Sequence, residues 1–326
     1  ACRNGELLGI PLSGAIPDRG CTGEELYCHA YKRVDSGSIL LKFRRSLMTN
    51  KNAPIGVFDS GVGGLTVMKE IMHQIPNEKI IYFGDTARVP YGNKSKDTVL
   101  RFSRQIVRFL KTQEVKAIVI ACNTASAYAL PDIEKEIDIP IIGVVRPGAK
   151  VAAQVTQNGK VGVIATEGTI NSHIYADYIK KINAQATVIG KACPLFVPLA
   201  EEGLWEDPVT DEIARRYLAE LIDIGIDTLI LGCTHYPLIR NTIGRIMGDR
   251  VTLVNPAYET ARELKELLQE KDLLNDETHR LGEEQYRFFV SDGAEKFKIF
   301  ANSIIKYGIL SAKVVPIEDY QGQFCE

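Results

Sequence analysis

Two apolar runs that each end at a cysteine constrain the fold of this 326-residue chain more than any other feature. The run Ala117-Ile-Val-Ile-Ala leads into Cys122, and Thr228-Leu-Ile-Leu-Gly leads into Cys233. Short runs this rich in Ile, Val and Leu are typical of strands that are buried on both faces of a parallel sheet. Ligands of open parallel sheets bind beyond the carboxyl ends of the strands. Although a free cysteine is often only a core residue, two in matching positions favour a functional role.

The chain also contains a domain-sized repeat. The segment Ile55-Gly-Val-Phe-Asp-Ser-Gly resembles Val161-Gly-Val-Ile-Ala-Thr-Glu-Gly, 106 residues further on, and the two cysteines lie 111 residues apart. A period of this length indicates an internal duplication rather than a solenoid of short repeats. If the two halves face each other, one thiol approaches a ligand from each side.

Strand and helix patterns alternate from residue 55 to residue 304, and they predict helices over 125–137 and 169–181 and a loop over 193–203. This alternation predicts an α/β fold in which parallel sheets are packed between helices. Together with the duplication, it leads us to expect two similar parallel-sheet α/β domains, with the active site in the crevice between them.

Residues 1–47 differ from the rest of the chain because they show no sustained hydrophobic period. The apolar stretch Ser38-Ile-Leu-Leu is too short for a signal peptide. Cys28-His29 is not followed by a second pair at metal-ligand spacing. Since Met48 lies seven residues before the first predicted strand, we expect residues 1–47 to be a disordered extension without function, added by cloning or upstream of the natural start.

The composition excludes several classes of function. With 39 basic and 41 acidic residues and a net charge of −2, the chain offers no electrostatic case for nucleic-acid binding. Its apolar runs are too short for a membrane span. Seven scattered cysteines without a Cys-x-x-Cys motif argue against a disulfide framework and favour a reducing cytoplasm.

The loop Asp59–Gly64 joins the first predicted strand to a helix. Glycine-rich turns at this position present backbone N–H groups to a carboxylate or phosphate. The order Gly61-Val-Gly-Gly matches neither the dinucleotide-binding motif nor the P-loop, which disfavours a nucleotide. A tight turn without function and a carboxylate-binding loop both stay open. Asp59 could orient a reacting group or take up a proton.

Four kinds of chemistry are conceivable for the two thiols. A protease-type nucleophile requires a single cysteine with a histidine, which leaves the second thiol unexplained. A redox pair usually lies close in sequence, and a zinc site built from Cys122, Cys233 and His235 lacks the usual ligand spacing. Acid–base chemistry accounts for both thiols, because inversion of a stereocentre requires one base on each face. Since a free cysteine has a pKa of about 8.5, each thiolate needs stabilisation, and Asp59 and His235 are the candidate partners.

Four motifs together resemble those of bacterial glutamate racemases, in the cofactor-independent aspartate/glutamate racemase family. They are Phe58-Asp-Ser-Gly-Val-Gly-Gly, Val89-Pro-Tyr-Gly, Cys122-Asn-Thr-Ala and Gly232-Cys-Thr-His-Tyr-Pro, and the match extends from Ile55 to about residue 307. The related aspartate racemases share the paired cysteines but typically carry Glu, not His, after the second Cys-Thr. The resemblance implies an enzyme that interconverts L- and D-glutamate for peptidoglycan synthesis, without pyridoxal phosphate, metal or nucleotide. It also implies a possible homodimer.

The resemblance assigns roles to individual residues. Cys122 and Cys233 would exchange protons with Cα from opposite faces, Asp59 would assist the first thiol and His235 the second. Glu201 falls where the family carries an acid of the catalytic site. The positions that match the family's glutamate-binding residues are Asp59, Ser60, Tyr91, Gly92, Asn123, Thr124, Thr234 and His235.

The resemblance also bears on the domain boundaries. It implies that the chain after about residue 256 returns to the first sheet, so the first domain would comprise residues 54–146 and 256–320 and the second residues 147–255. Arg146-Pro-Gly is interpreted as the hinge between them. Arg146 departs from the family pattern, which usually has an apolar or acidic residue there, and residues 1–47 have no family counterpart.

Two alternative functions stay open at this stage. One is a racemase of another amino acid, such as aspartate, which a comparison of kcat/KM on the two acids would distinguish. The other is a catalytically silent ligand-binding or regulatory protein on the same scaffold, although the presence of both cysteines and both of their partners argues against it.

Overall fold

A computed structural model of the protein describes residues 50–275, 285–305, 308 and 311–322. The prediction for residues 1–47 and the end of the family resemblance near residue 307 lie outside these ranges. None of the helices within them is long and apolar enough to cross a membrane. The strands are β1 (Ile55–Asp59), β2 (Ile80–Gly84), β3 (Ala117–Ile120), β4 (Ile141–Gly143), β5 (Lys160–Ala165), β6 (Thr187–Ala192), β7 (Thr228–Gly232), β8 (Thr252–Val254), β9 (Tyr286–Val290) and β10 (Lys313–Val314).

The helices lie between and after these strands. They are α1 (Leu65–Gln74), α2 (Lys96–Thr112), α3 (Asn123–Tyr128), α4 (Leu130–Ile133), α5 (Val145–Val155), α6 (Glu167–Asn171), α7 (Ile174–Ile182), α8 (Phe196–Glu201), α9 (Pro208–Ile224), α10 (Arg240–Met247), α11 (Pro256–Glu270) and α12 (Ala294–Ile304). Short 3-10 helices cover Tyr91–Asn93, Tyr236–Ile239 and Ile317–Asp319.

The strands form two parallel sheets. The first has the order β10-β9-β2-β1-β3-β4 and the second the order β6-β5-β7-β8, and every strand pairing is parallel. The predicted α/β fold with two parallel sheets is therefore confirmed. The late strands β9 and β10 join the first sheet, while the predicted domain boundaries stay a prediction.

The two sheets repeat one topology. The order β2-β1-β3-β4 of the first corresponds to β6-β5-β7-β8 of the second. Val57 pairs with Val119 in the first sheet, and Val163 pairs with Ile230 in the second. Since these pairs are separated by the same 106 and 111 residues as the sequence repeat, the pairing register agrees with an internal duplication.

Burial on both faces explains why the central strands lack polar alternation. In β1, Val57 packs in a hydrophobic cluster that includes Leu65 and Met68 of α1. Its neighbour Phe58 points to the opposite face and packs in a cluster with Phe83 and Ile106. Each large apolar side chain buried in this way stabilises the fold by about 1.5–3 kcal/mol.

One segment predicted to be a loop contains a helix. The predicted loop 193–203 contains α8, with Pro198 in its first turn. Proline is tolerated in a first helical turn because the missing N–H would have no partner within the helix there. The presence of proline therefore led to the wrong prediction in this segment. Arg146-Pro-Gly also lies in a first helical turn, that of α5, and its interpretation as a hinge stays a prediction.

Two helices predicted to be continuous are divided. The segment 125–137 forms α3 and α4, and Pro131 near the start of α4 lacks the N–H that would continue α3. The segment 169–181 spans α6 and α7, which are separated at His173 with a φ of 56°. A left-handed residue cannot continue a right-handed helix.

Candidate active site

A cavity lies where the carboxyl ends of the central strands of the two sheets meet. Four residues that follow these strands line it: Ser60 after β1, Cys122 after β3, Thr166 after β5 and Cys233 after β7. The duplicated topology thus brings both predicted thiols to a single cavity.

The first thiol caps a helix and is almost enclosed. Cys122 is 6% exposed, and its Sγ accepts a hydrogen bond from the backbone N–H of Ala125 at 3.4 Å. Burial raises the pKa of Cys122 to about 12, and the charge of Asp59 adds to this effect. Hydrogen bonds from Ala125 and the Ser60 hydroxyl act in the opposite direction but do not outweigh burial. Burial therefore favours the neutral thiol at Cys122.

The second thiol has an imidazole beside it. Sγ of Cys233 lies 3.7 Å from Nδ1 of His235, and Nε2 of the same ring lies 3.0 Å from Oε1 of Glu201. Burial alone would lower the pKa of His235, but the hydrogen bonds to Cys233 and Glu201 raise it to about 10. A protonated ring in this position stabilises a thiolate at Cys233.

Glu201 lies at the end of α8 and is the third group in a row that begins with Cys233 and His235. The hydrogen bond from His235 lowers the pKa of Glu201, although partial burial opposes this. The Glu201 side chain is 37% exposed and also lines a neighbouring cavity with Lys296 and Phe297. It therefore connects the buried imidazole to solvent.

Asp59 lies behind the cavity rather than in its lining. Its side chain is fully buried; Oδ2 accepts the N–H of Gly61 at 3.0 Å, and Oδ1 accepts the hydroxyl of Thr234 at 3.4 Å. Burial raises the pKa of Asp59, while the charge of His235 and backbone N–H groups of the loop lower it. Asp59 thus links the end of β1 to the segment after β7, and the roles predicted for it stay predictions.

Two glycines of the loop after β1 permit close approach of the groups around Asp59 and His235. A Cβ on Gly63 would lie 2.4 Å from Oγ1 of Thr234 and 2.6 Å from Nδ1 of His235. A Cβ on Gly64 would lie 2.4 Å from that of Asp59. Only glycine fits at such distances, so the glycine-rich sequence is required for packing around the site.

A family profile for Asp/Glu/hydantoin racemases matches residues 55–264. The chain belongs to this family. The family resemblance inferred from the four motifs is therefore confirmed.

Named relatives of the family cover most of the described chain. A glutamate racemase of Geobacter metallireducens is 55% identical over 238 residues, which is 73% of this chain and 87% of that protein. The crystal structure of a glutamate racemase isoform from Bacillus anthracis has a TM-score of 0.78 at 41% identity and covers 82% of this chain and 98% of its own. The crystal structure of a Francisella tularensis glutamate racemase in complex with D-glutamate has a TM-score of 0.77 at 42% identity. It covers 83% of this chain and 100% of its own.

The structure places the residues predicted from this family around one cavity, with the exception of Asp59. The thiols, His235 and Glu201 all contribute to the lining. The remaining predicted residues that line it are Ser60, Tyr91, Gly92, Asn123, Thr124 and Thr234.

Further residues that were not predicted also belong to the site. Thr166 lines the cavity, and its hydroxyl lies 2.8 Å from that of Thr124. The repeat contained a signal for it, since Thr166 is aligned with Ser60. Val197 of α8 also lines the cavity, and the hydroxyl of Tyr175 donates to Oδ1 of Asn123 at 2.7 Å. No local pattern in the sequence distinguishes Val197 or Tyr175 from ordinary core residues.

The contacts of His235 suit the stabilisation of charge on its two neighbours. Both ring nitrogens of His235 are engaged, one by Cys233 and the other by Glu201. An imidazole held between a thiol and a carboxylate stabilises charge on its neighbours, whereas a metal ligand requires one free nitrogen. Across the ranges that the structure describes, His, Cys, Asp and Glu side chains form no group of three or more suited to a metal ion.

Proposed function

We propose that this protein is a glutamate racemase that interconverts L- and D-glutamate by proton transfer at Cα between Cys122 and Cys233. The observation that carries the proposal is the position of the two thiols, which end equivalent strands of two equivalent sheets and line one cavity. The choice of glutamate is supported by the similar proteins, which are named glutamate racemases and of which one was crystallised with D-glutamate.

In the proposed reaction one cysteine acts as a thiolate and the other as a thiol. The thiolate takes the proton from Cα, the carbon becomes a planar carbanion, and the opposite thiol donates its proton to the other face. The first sulfur ends as a thiol and the second as a thiolate, so the reverse reaction can start from the product. No pyridoxal phosphate, metal ion or nucleotide takes part in this scheme.

The surrounding groups would support the two bases differently. His235, held by Glu201, stabilises a thiolate at Cys233 through its positive charge. At Cys122 the ligand-free cavity favours the neutral thiol, so we propose that the α-ammonium group of the bound substrate lowers this pKa by placing a positive charge beside the sulfur.

The predicted binding residues would then hold the carboxylate and ammonium groups of the substrate. Short polar side chains and backbone N–H groups at strand ends suit such groups. We assign this role to Ser60, Tyr91, Gly92, Asn123, Thr124 and Thr234.

The biological setting follows from the same proposal. D-glutamate would be supplied to peptidoglycan synthesis in the cytoplasm, where the free thiols of Cys122 and Cys233 would stay reduced. A homodimer, as the family resemblance implies, is also proposed, and sedimentation equilibrium would test it.

The decisive experiment incubates the purified protein with L-glutamate in D₂O without added cofactor. Proton NMR follows the loss of the α-proton, and circular dichroism follows the loss of optical activity. Deuterium incorporation with inversion is the expected result. Exchange on aspartate but not on glutamate would transfer the assignment to an aspartate racemase, and no reaction on either would favour a silent binding protein.

Single substitutions then test the two-base scheme. Cys122→Ala and Cys233→Ala should each reduce the rate of racemisation by at least about 100-fold. This is the lower end of the rate contribution that a general acid or base typically makes. Cys193→Ala is the matched control, because Cys193 is a buried free thiol outside the cavity lining. Near-normal racemisation in both directions by either active-site variant would contradict the scheme.

A further inference from the structure

A second cleft, which shares no lining residue with the cavity described above, contains four arginines. Arg101, Arg104 and Arg108 are spaced by three and four residues and therefore share one face of α2. Arg88, from the loop after β2, lines the same cleft, and Phe102 lies among the four. The cleft has a volume of about 460 Å³, within the range of small-molecule sites.

The lining carries much more positive than negative charge. Glu318 is the acidic residue among the described residues that line the cleft. Arg104 is paired with Glu136, but Arg101 is exposed and forms no ion pair with any residue in the described ranges. Burial and the charge of Arg104 together lower the pKa of Arg108, which shows that like charges are crowded here. Such crowding costs free energy in the absence of an anion.

Arg88 is held rigidly in this cleft. Its Nε donates to both oxygens of Asp85, at 3.0 and 2.8 Å, and Nη1 donates to Oε1 of Gln105 at 2.6 Å. The guanidinium lies over the ring of Phe102 at 4.0 Å from its centre. Nη2 is buried and has no hydrogen-bond partner among the described residues. A buried donor without an acceptor is unfavourable, and an anionic oxygen would satisfy it.

We propose that this cleft binds a small molecule through a phosphate or pyrophosphate group. Guanidinium groups bind carboxylates and phosphates in paired, charge-assisted hydrogen bonds. A carboxylate has two oxygens in one plane, whereas a phosphate presents at least three around a tetrahedral centre and can contact arginines from several directions. Four guanidinium groups contributed by a helix and a loop match the second geometry better.

Isothermal titration calorimetry of the whole protein with inorganic pyrophosphate, at constant ionic strength, tests this proposal. One saturable site is expected for the unmodified protein. Arg101→Gln should weaken binding about tenfold, as expected for loss of one charge-assisted hydrogen bond, and Glu318→Gln should strengthen it several-fold by removing the opposing charge. Arg216→Gln is the control, because Arg216 is an exposed helical arginine paired with Glu212 elsewhere and should bind like the unmodified protein.

Several outcomes would contradict the proposal. They are the absence of saturable binding, equal weakening in Arg101→Gln and Arg216→Gln, and tighter binding of citrate than of pyrophosphate. The first two would exclude a specific site, and the third would identify a carboxylate site instead. All three substituted side chains are exposed, so the variants should fold normally, which far-ultraviolet circular dichroism verifies. The measurement requires no enzymatic activity and is independent of the proposed racemase function.

Discussion

The two thiols of this racemase family member have equivalent positions but different chemical surroundings. Cys233 faces the imidazole of His235, which Glu201 supports from the other side. Cys122 faces no imidazole and depends on the hydrogen bonds from Ala125 and Ser60. Because burial dominates at Cys122, a positive charge close to the sulfur would favour its thiolate form. The structure therefore predicts that substrate binding and the ionisation of Cys122 are coupled.

The raised pKa of His235 predicts a pH dependence of stability. The folded protein binds this proton more tightly than the unfolded chain, in which the pKa is about 6.5. The resulting stabilisation is fully present below about pH 6.5 and is lost as the pH rises towards about 10. Urea unfolding across this range should show a falling free energy of unfolding, and His235→Asn should flatten the slope. An unchanged slope in the variant would show that other groups cause the dependence.

Glu201 and its neighbour offer a matched pair of variants. Glu201→Gln removes the negative charge that holds His235, so we expect kcat to fall about tenfold or more, from the ~1.5–3 kcal/mol of a charged hydrogen bond. The pH–rate profile should also shift to lower pH, since the pKa of His235 falls. Glu202→Gln should leave both quantities unchanged because Glu202 is exposed and does not line the cavity. Equal effects of the two substitutions would argue against a specific role for Glu201.

At the scale of elements, the loop between β1 and α1 acts as a spacer for the catalytic groups. It connects the two sheets, because the hydroxyl of Thr66 at the start of α1 donates to the backbone oxygen of Thr234 at 2.9 Å. Gly63 lies against the same segment and leaves room for the His235 ring. The position of the imidazole thus depends on a loop from the other half of the repeat.

Gly63→Ala tests this dependence. The added methyl group would overlap the His235 ring and the Thr234 hydroxyl, and the displaced imidazole should reduce racemisation about 100-fold. Gly244→Ala is the control: the nearest atom to its new Cβ is Cδ1 of Leu253 at 3.4 Å, and alanine favours a helix such as α10 by about 1 kcal/mol. The racemisation rate and the thermal stability of both variants show whether the position of the His235 imidazole depends on Gly63. Full activity in Gly63→Ala would contradict the spacer role.

At the scale of the whole molecule, contacts between the two sheet regions surround the cavity. The Thr124 hydroxyl meets that of Thr166 at 2.8 Å, and Tyr175 of α7 donates to Asn123 at the start of α3. These contacts join segments that follow β3 to segments that follow β5. The first contact is partly buried and the second is buried, so the loss of either removes a measurable part of the marginal stability of a protein.

Tyr175→Phe should therefore reduce both stability and activity. Loss of the donor leaves the buried Oδ1 of Asn123 without this partner, which costs about 1–3 kcal/mol in the free energy of unfolding. Tyr258→Phe is the control, since Tyr258 is 49% exposed and such a surface change stays within about 0.5 kcal/mol. Denaturant unfolding and KM for glutamate are the measurements. Equal stability of the two variants would show that the Tyr175 contact contributes little.

Local patterns in the sequence determined the strands, the positions of Cys122 and Cys233 at strand ends, and the family resemblance. This was possible because strands buried on both faces must be apolar throughout, and because binding loops at strand ends have recognisable motifs. Pro198 was misinterpreted, since proline both begins and interrupts helices. In a sequence, proline can mark the first turn of a helix or the end of one, and only the backbone hydrogen bonds of the structure distinguish the two cases.

The tertiary structure alone decided which distant groups meet. Glu201 contacts His235 across 34 residues of sequence, Asp59 accepts from Thr234 across 175, and Arg88 joins the arginines of α2 in one cleft. These distances depend on how the two sheets and their helices pack, which is set by the summed burial of many side chains rather than by any local pattern. For this reason the sequence indicated which groups could react, and only the packed structure determined how each thiol is surrounded.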